Sequence, residues 1–168
     1  AMAYNIPQAQ PIGQPFNSSV LISGELSVAA ILVCVRILTG SLHPLAKAVL
    51  LGIVASIISY TTNDIVLKFI FGLSTPREVV FAGGDHRFHF FQGSFGSSFP
   101  SGHMALAAGF GAAFVTVSGR ARAATFFALI FGGAILVVGD WHFVSDVLAG
   151  ASVGWGMGFV AGELWNQH

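Results

Sequence analysis

The chain has 168 residues and no net charge, with 54% hydrophobic residues and only 8% Asp, Glu, Lys and Arg. A soluble domain carries about 25% charged residues, so most of this surface faces lipid, in keeping with the mean hydropathy of +0.77. Zero net charge gives nucleic acid no electrostatic hold. The single cysteine, Cys34, excludes an intrachain disulfide.

Residues 1–15 are uncharged and lack an apolar run, and read as an extracytoplasmic N-terminal segment. Residues 16–168 read as one membrane domain. A spanning helix needs about 20 apolar residues, and five apolar stretches follow in order. The first, 16–38, is the most interrupted, by Ser18, Ser19, Ser23, Gly24, Glu25 and Ser27. The second, 45–71, is longer than a span and ends in Asn63, Asp64 and Lys68, so its last turns stand above the lipid. The third, fourth and fifth are 101–118, 123–138 and 143–165. The fold class is therefore all-α, a polytopic transmembrane bundle of about five spans. The fifth stretch places Gly150, Gly154, Gly158 and Gly162 on one stripe, a signal for close helix packing.

One long loop, 72–100, separates the second and third stretches. Loops of that length are functional or disordered, and Phe81, Phe88, Phe90, Phe91, Phe95 and Phe99 argue for order. Basic residues mark the cytoplasmic side of a membrane protein. Arg120 and Arg122 sit in one tight turn, and Arg36 and Lys47 flank another. Those turns lie on the same side if all five stretches span. The loop is then extracytoplasmic. The expected location is a cell inner membrane, with the chemistry facing the periplasm or exterior.

Four of the six histidines, His86, His89, His103 and His142, fall on that outer side. His142 and Asp146 stand four apart at the start of the fifth stretch. On a helix this puts them on one face. The carboxylate then fixes the imidazole tautomer and leaves the other nitrogen as nucleophile or base. An isolated pair of this kind is more often a polar helix cap. Here Pro100-Ser101-Gly102-His103 opens the third stretch on the same side. Free N–H groups and the dipole at a helix start favour an anion. Gly102 permits close approach, Ser101 adds a hydroxyl and His103 a titratable proton. Lys68, Arg77 and Arg87 are the cations on that side, where snorkelling at the interface is the alternative to holding an anion.

In order and spacing, Lys68 to Thr75-Pro76, then Pro100-Ser101-Gly102-His103, then His142-Phe143-Val144-Ser145-Asp146 resemble the type-2 phosphatidic acid phosphatase superfamily. Its motifs are Lys-x6-Arg-Pro, Pro-Ser-Gly-His and Ser-Arg-x5-His-x3-Asp. The resemblance covers roughly 45–165. It implies that His142, oriented by Asp146, is the nucleophile and that His103 is the acid–base group. It further implies that Lys68, Ser101, Gly102 and a nearby arginine hold the phosphate, with no metal or cofactor, and that the partner is a membrane lipid. Two positions depart from the pattern. Thr75 stands in place of the first motif's arginine, and Ile135-Leu136 replaces Ser-Arg. A charge-assisted hydrogen bond contributes about 1.5–3 kcal/mol, so substitutes are needed. Arg77, Arg87, His86 and His89 are the available substitutes, with Arg77, two residues from the family position, the best placed. An arginine returned at Leu136 is expected to strengthen phosphate binding.

Three functions follow. The first is a phosphatase acting on a lipid phosphate or diphosphate through a phosphohistidine. The second is an eroded family member serving as a lipid-binding or structural subunit, as a homo-oligomer or in a membrane complex. The third is a metal site built from His86, His89, His103 and His142 with Asp85 or Asp140.

Overall fold

A computed structural model describes residues 18–167, and the segment 1–15 lies outside the described residues. Every regular element among them is helical. The order is α1 (Ser18–Thr39), α2 (Pro44–Thr62), a π-turn (Asn63–Leu67), α3 (Lys68–Phe71), α4 (Pro76–Phe81), α5 (Gly102–Val117), α6 (Arg122–Val138) and α7 (Val144–Asn166). Four runs are long and apolar enough to cross a membrane: Ser18–Thr39, Pro44–Phe81, Gly119–Val138 and Val144–Asn166. At 16 residues α5 is shorter, about 24 Å at 1.5 Å per residue, against a hydrocarbon core of about 30 Å.

α5 is the inner helix. Ten of its 16 residues are buried, whereas α1 has none and α6 has only Gly133 and Leu136. Between helices in lipid the hydrophobic effect contributes little, so close van der Waals contact has to hold the bundle. The glycine stripe of α7 supplies it. A Cβ at Gly150, Gly154 or Gly158 would overlap the backbone of Ser101, Ala105 or Gly109 on α5, and one at Gly162 would strike Thr116. α2 approaches the other side of α5 through Gly109 against Ser59 and Gly52 against Phe110. The apolar surface is turned outward, with Phe127, Ile130 and Phe131 of α6 all about 70% exposed, as suits a lipid-facing helix.

α2 does not stop where its polar residues begin. It runs through the π-turn, in which Lys68 N–H reaches back to Asn63 C=O, and into α3. Gly72 then ends α3 in the left-handed region at φ +50, where glycine is unstrained. The 72–100 loop folds back onto this helix end. Phe91 N–H donates to Ile70 C=O at 2.9 Å, Gly93 N–H to Phe69 C=O at 3.1 Å, and Ser98 N–H to Leu73 C=O at 2.7 Å. Phe88, Phe90 and Phe99 gather their rings around Phe71 at 5.0–6.0 Å. These ring contacts tie the loop to α3, although Phe88 and Phe90 remain exposed.

α1 is attached through polar contacts. Ser56 Oγ donates to the Glu25 carboxylate at 2.9 and 3.1 Å, and Ser18 Oγ lies 3.3 Å from His103 Nε2. Ser18 and Glu25 are seven apart, two turns along one helix face.

Candidate active site

Pro100 precedes the start of α5 rather than occupying its first turn. Ser101 is the N-cap, its hydroxyl accepting from Met104 N–H at 3.4 Å. Ser101 is fully buried, and its own N–H donates to Asp146 C=O at 3.0 Å. This bond ties the first turn of α5 to the first turn of α7. Gly102 also has a structural reason to be glycine, because a Cβ there would lie 2.8 Å from Asp64 Oδ1 and 3.1 Å from the Tyr60 ring. Asn63, fully buried, donates from Nδ2 to Pro100 C=O at 3.0 Å, so the π-turn holds the Pro-Ser-Gly-His segment from the other side. A π-turn at such a place is a common mark of a functional site.

These constraints bring His103 and His142 together, with ring centroids 6.3 Å apart. His142 is 8% exposed and Asp146 fully buried. His142 Nδ1 lies 3.6 Å from Asp146 Oδ2 and 3.3 Å from Ser98 Oγ. The same carboxylate oxygen accepts the Ser98 hydroxyl and, at 2.9 Å, Phe143 N–H. Two hydrogen bonds therefore orient this oxygen toward the Nδ1 edge of the imidazole, and Nε2 is left as the other nitrogen.

The cations are arranged unequally. Lys68 is 8% exposed, its Nζ 2.7 Å from Asp64 Oδ1 and 3.1 Å from Phe95 C=O. Asp64 lies beside Gly102, so this pair stands next to the α5 start. Arg77 reaches from α4 to the α6–α7 turn, donating to Gly139 C=O at 3.2 Å with its guanidinium 6.0 Å from the Trp141 ring. Arg87 is 86% exposed and 3.9 Å from Asp85, outside this group. Among the described residues no three His, Cys, Asp or Glu side chains form a cluster able to hold a metal. His86 instead lies 6.1 Å from the Phe143 ring.

The two motif departures have structural explanations. Thr75 is the N-cap of α4. Its hydroxyl accepts from Glu78 N–H at 3.2 Å, and Glu78 accepts from Thr75 N–H at 2.7 Å. This capping box launches the short helix that carries Arg77 to Gly139. Leu136 is 5% exposed in a cluster with Met104 and Val147. An arginine there would bury an unpaired charge, which is costly. The expected gain from returning the motif arginine is therefore replaced by a loss of core.

Ser98 and Asn63 join the site without a sequence signal of their own. Both act at long range, Ser98 on residues 44 and 48 positions away and Asn63 on one 37 away. No local periodicity announces them. The capping role of Thr75 was signalled by Thr75-Pro76-Arg77-Glu78.

No curated protein and no solved structure matches the chain. One family model, described as the PAP2 superfamily, matches residues 45–167. That match begins at the first turn of α2, ends at the end of α7 and encloses every residue of the His103–His142 constellation. The chain belongs to the PAP2 superfamily, a family of phosphatases whose members commonly act on membrane lipids.

Proposed function

We propose that the protein hydrolyses a lipid phosphate or diphosphate at the extracytoplasmic face of the membrane through a phosphohistidine. The observation that carries this reading is the pairing of His103 with His142 at 6.3 Å, with Asp146 and Ser98 on the Nδ1 edge of His142. In the first step His142 Nε2 attacks phosphorus, and the bond from phosphorus to the lipid oxygen breaks. His103 gives that oxygen its proton. In the second step His103 takes a proton from water, the water oxygen attacks the phosphohistidine, and phosphate leaves. Two moderate displacements replace one difficult one, and acid–base assistance contributes typically 10²–10⁴-fold. Lys68 and Arg77 supply positive charge for the phosphate oxygens, alongside the N–H groups opening α5. The direct test is phosphate release from a panel of lipid phosphates in detergent, with and without chelator. Chelator-insensitive release supports the proposal.

A specific observation favours the eroded-subunit reading as the second choice. Lys68 is already paired with Asp64 and capped by Phe95 C=O, while Arg77 is bonded to Gly139 C=O. Both cations already spend part of their donor capacity on the protein, which leaves less of it for a substrate. The absence of release from every lipid in the panel would give this reading the lead.

Arg77 and Arg87 separate the two further. Arg77→Ala is expected to lower kcat/KM at least tenfold, about 1.4 kcal/mol of transition-state binding. Arg87→Ala is expected to change it little, given its exposure. Steady-state kinetics on both variants provides the check. Silence of both in an active protein would mean that neither arginine holds the phosphate.

The orientation is tested by labelling. With the lipid-facing Cys34 replaced by alanine, a cysteine at Ser94 should react with an impermeant maleimide in intact cells, and one at Ser118 should not. The opposite pattern would place the site on the cytoplasmic face.

A further inference from the structure

We infer that the groove between α6 and α7 holds one hydrocarbon chain of the lipid whose phosphate is attacked by His142; the inference rests on the phosphatase reading above. The groove has a volume of about 820 Å³, within the range of about 300–1,000 Å³ usual for small-molecule sites. Its walls are apolar. The only hydroxyl in its lining belongs to Ser152, and that group donates to Leu148 C=O of its own helix at 2.8 Å. The hollow arises because the facing positions are small. Gly133, Ala134, Ala151 and Gly156 line it, and a Cβ at Gly156 would meet nothing within 4 Å.

Its two ends are different. The outer end is built by Met104, Val144 and Val147. These are the chain neighbours of His103, Phe143 and Asp146, so the turns that carry the chemistry also form the mouth of the groove. At the inner end Phe126 stacks on Trp155 with ring centroids 4.9 Å apart. From Val144 to Gly156 the helix rises about 18 Å, close to the roughly 15 Å of one leaflet, half the hydrocarbon thickness. A chain lying there in one leaflet has its head at the α6–α7 turn, where His142 stands and Arg77 docks on Gly139. Bulk lipid filling a crevice needs no such register. A hydrocarbon chain gains little by leaving lipid for an apolar groove, so the expected consequence is selection by chain length and attachment point rather than tight binding.

The experiment uses the full chain in detergent and compares kcat/KM for hexadecyl phosphate and butyl phosphate. Gly156→Phe fills the groove and is expected to lower the long-to-short ratio at least tenfold. Gly132→Phe adds the same bulk to α6 at a position that does not line the groove and has equal free space; its ratio should match that of the native chain. An unchanged ratio in monodisperse Gly156→Phe protein overturns the inference and leaves the phosphatase reading intact. A second arm does not need turnover. A hexadecyl phosphate carrying a diazirine at mid-chain, photolysed on the native protein, should label α6 and α7 residues of the groove. Labelling should be competed by unlabelled hexadecyl phosphate and not by hexadecanol. Equal competition by the alcohol, scattered labelling, or a dimer whose groove is unlabelled would each overturn the inference. Competed labelling in a protein with no turnover would instead sink the phosphatase reading and keep the groove.

Discussion

His142→Ala is expected to abolish lipid-phosphate turnover, and Asp146→Asn to slow it about 10²–10⁴-fold with the fold intact. The two substitutions act at different points of one geometry. The first removes the atom that would bond to phosphorus. The second keeps the shape of the carboxylate but exchanges an acceptor oxygen for either an oxygen without charge or an N–H₂ group. Asp146 Oδ2 accepts Phe143 N–H at 2.9 Å and the Ser98 hydroxyl, and lies 3.6 Å from His142 Nδ1. Asparagine in the best orientation retains the backbone bond and loses the charge that would stabilise the imidazolium formed as His142 Nε2 bonds to phosphorus. The check is an acid-lability assay on protein quenched during turnover of a ³²P-labelled lipid. Native protein should carry acid-labile, base-stable label on a peptide containing His142, and the His142→Ala protein none. Full turnover by His142→Ala would remove the phosphohistidine from the mechanism.

Much of this site was legible because its parts are local. His142 and Asp146 are four positions apart around the start of α7, and Pro100-Ser101-Gly102-His103 announces a helix start by composition. The glycine stripe at 150, 154, 158 and 162 is a periodic signal, and the structure gives it the expected use. The Lys68–Asp64 pair is another four-residue spacing. What stayed hidden depends on the path of the 72–100 loop, which follows no periodicity. Its return over α3 delivers Ser98 to the His142–Asp146 pair and places the Phe95 carbonyl on Lys68. Gly102 was read for its openness to a ligand, whereas its neighbours are Asp64 and Tyr60 of the adjoining helix. The motif comparison marked Thr75 and Leu136 as losses. The structure shows a helix cap and a core residue, each with its own local requirement.

Gly154→Ala is expected to destabilise the protein and to disable the site, although alanine is the better helix former. Helix propensity alone favours alanine over glycine by about 1 kcal/mol. Against it stands overpacking, which costs typically about 1–3 kcal/mol and occasionally more. At Gly154 the new methyl would overlap the carbonyl and Cα of Ala105, backbone atoms that cannot rotate away. The overlap therefore outweighs the propensity, and α5 and α7 must separate. Separation matters for function because the two helices position the two halves of the proposed site, His103 on α5, and Asp146 on α7 with His142 in the turn just before it. The bond from Ser101 N–H to Asp146 C=O at 3.0 Å spans the same interface, about one turn away along α5 and two along α7. Gly132→Ala is the internal control. It lies on α6 outside the groove, a Cβ there meets nothing within 4 Å, and only the propensity gain remains. Thermal unfolding in detergent should show a lower Tm for Gly154→Ala and an equal or higher one for Gly132→Ala. Turnover at a temperature where both remain folded should fall only for the former. A Gly154→Ala protein as stable and active as the native chain would mean that the close α5–α7 contact does not hold the two histidines in place.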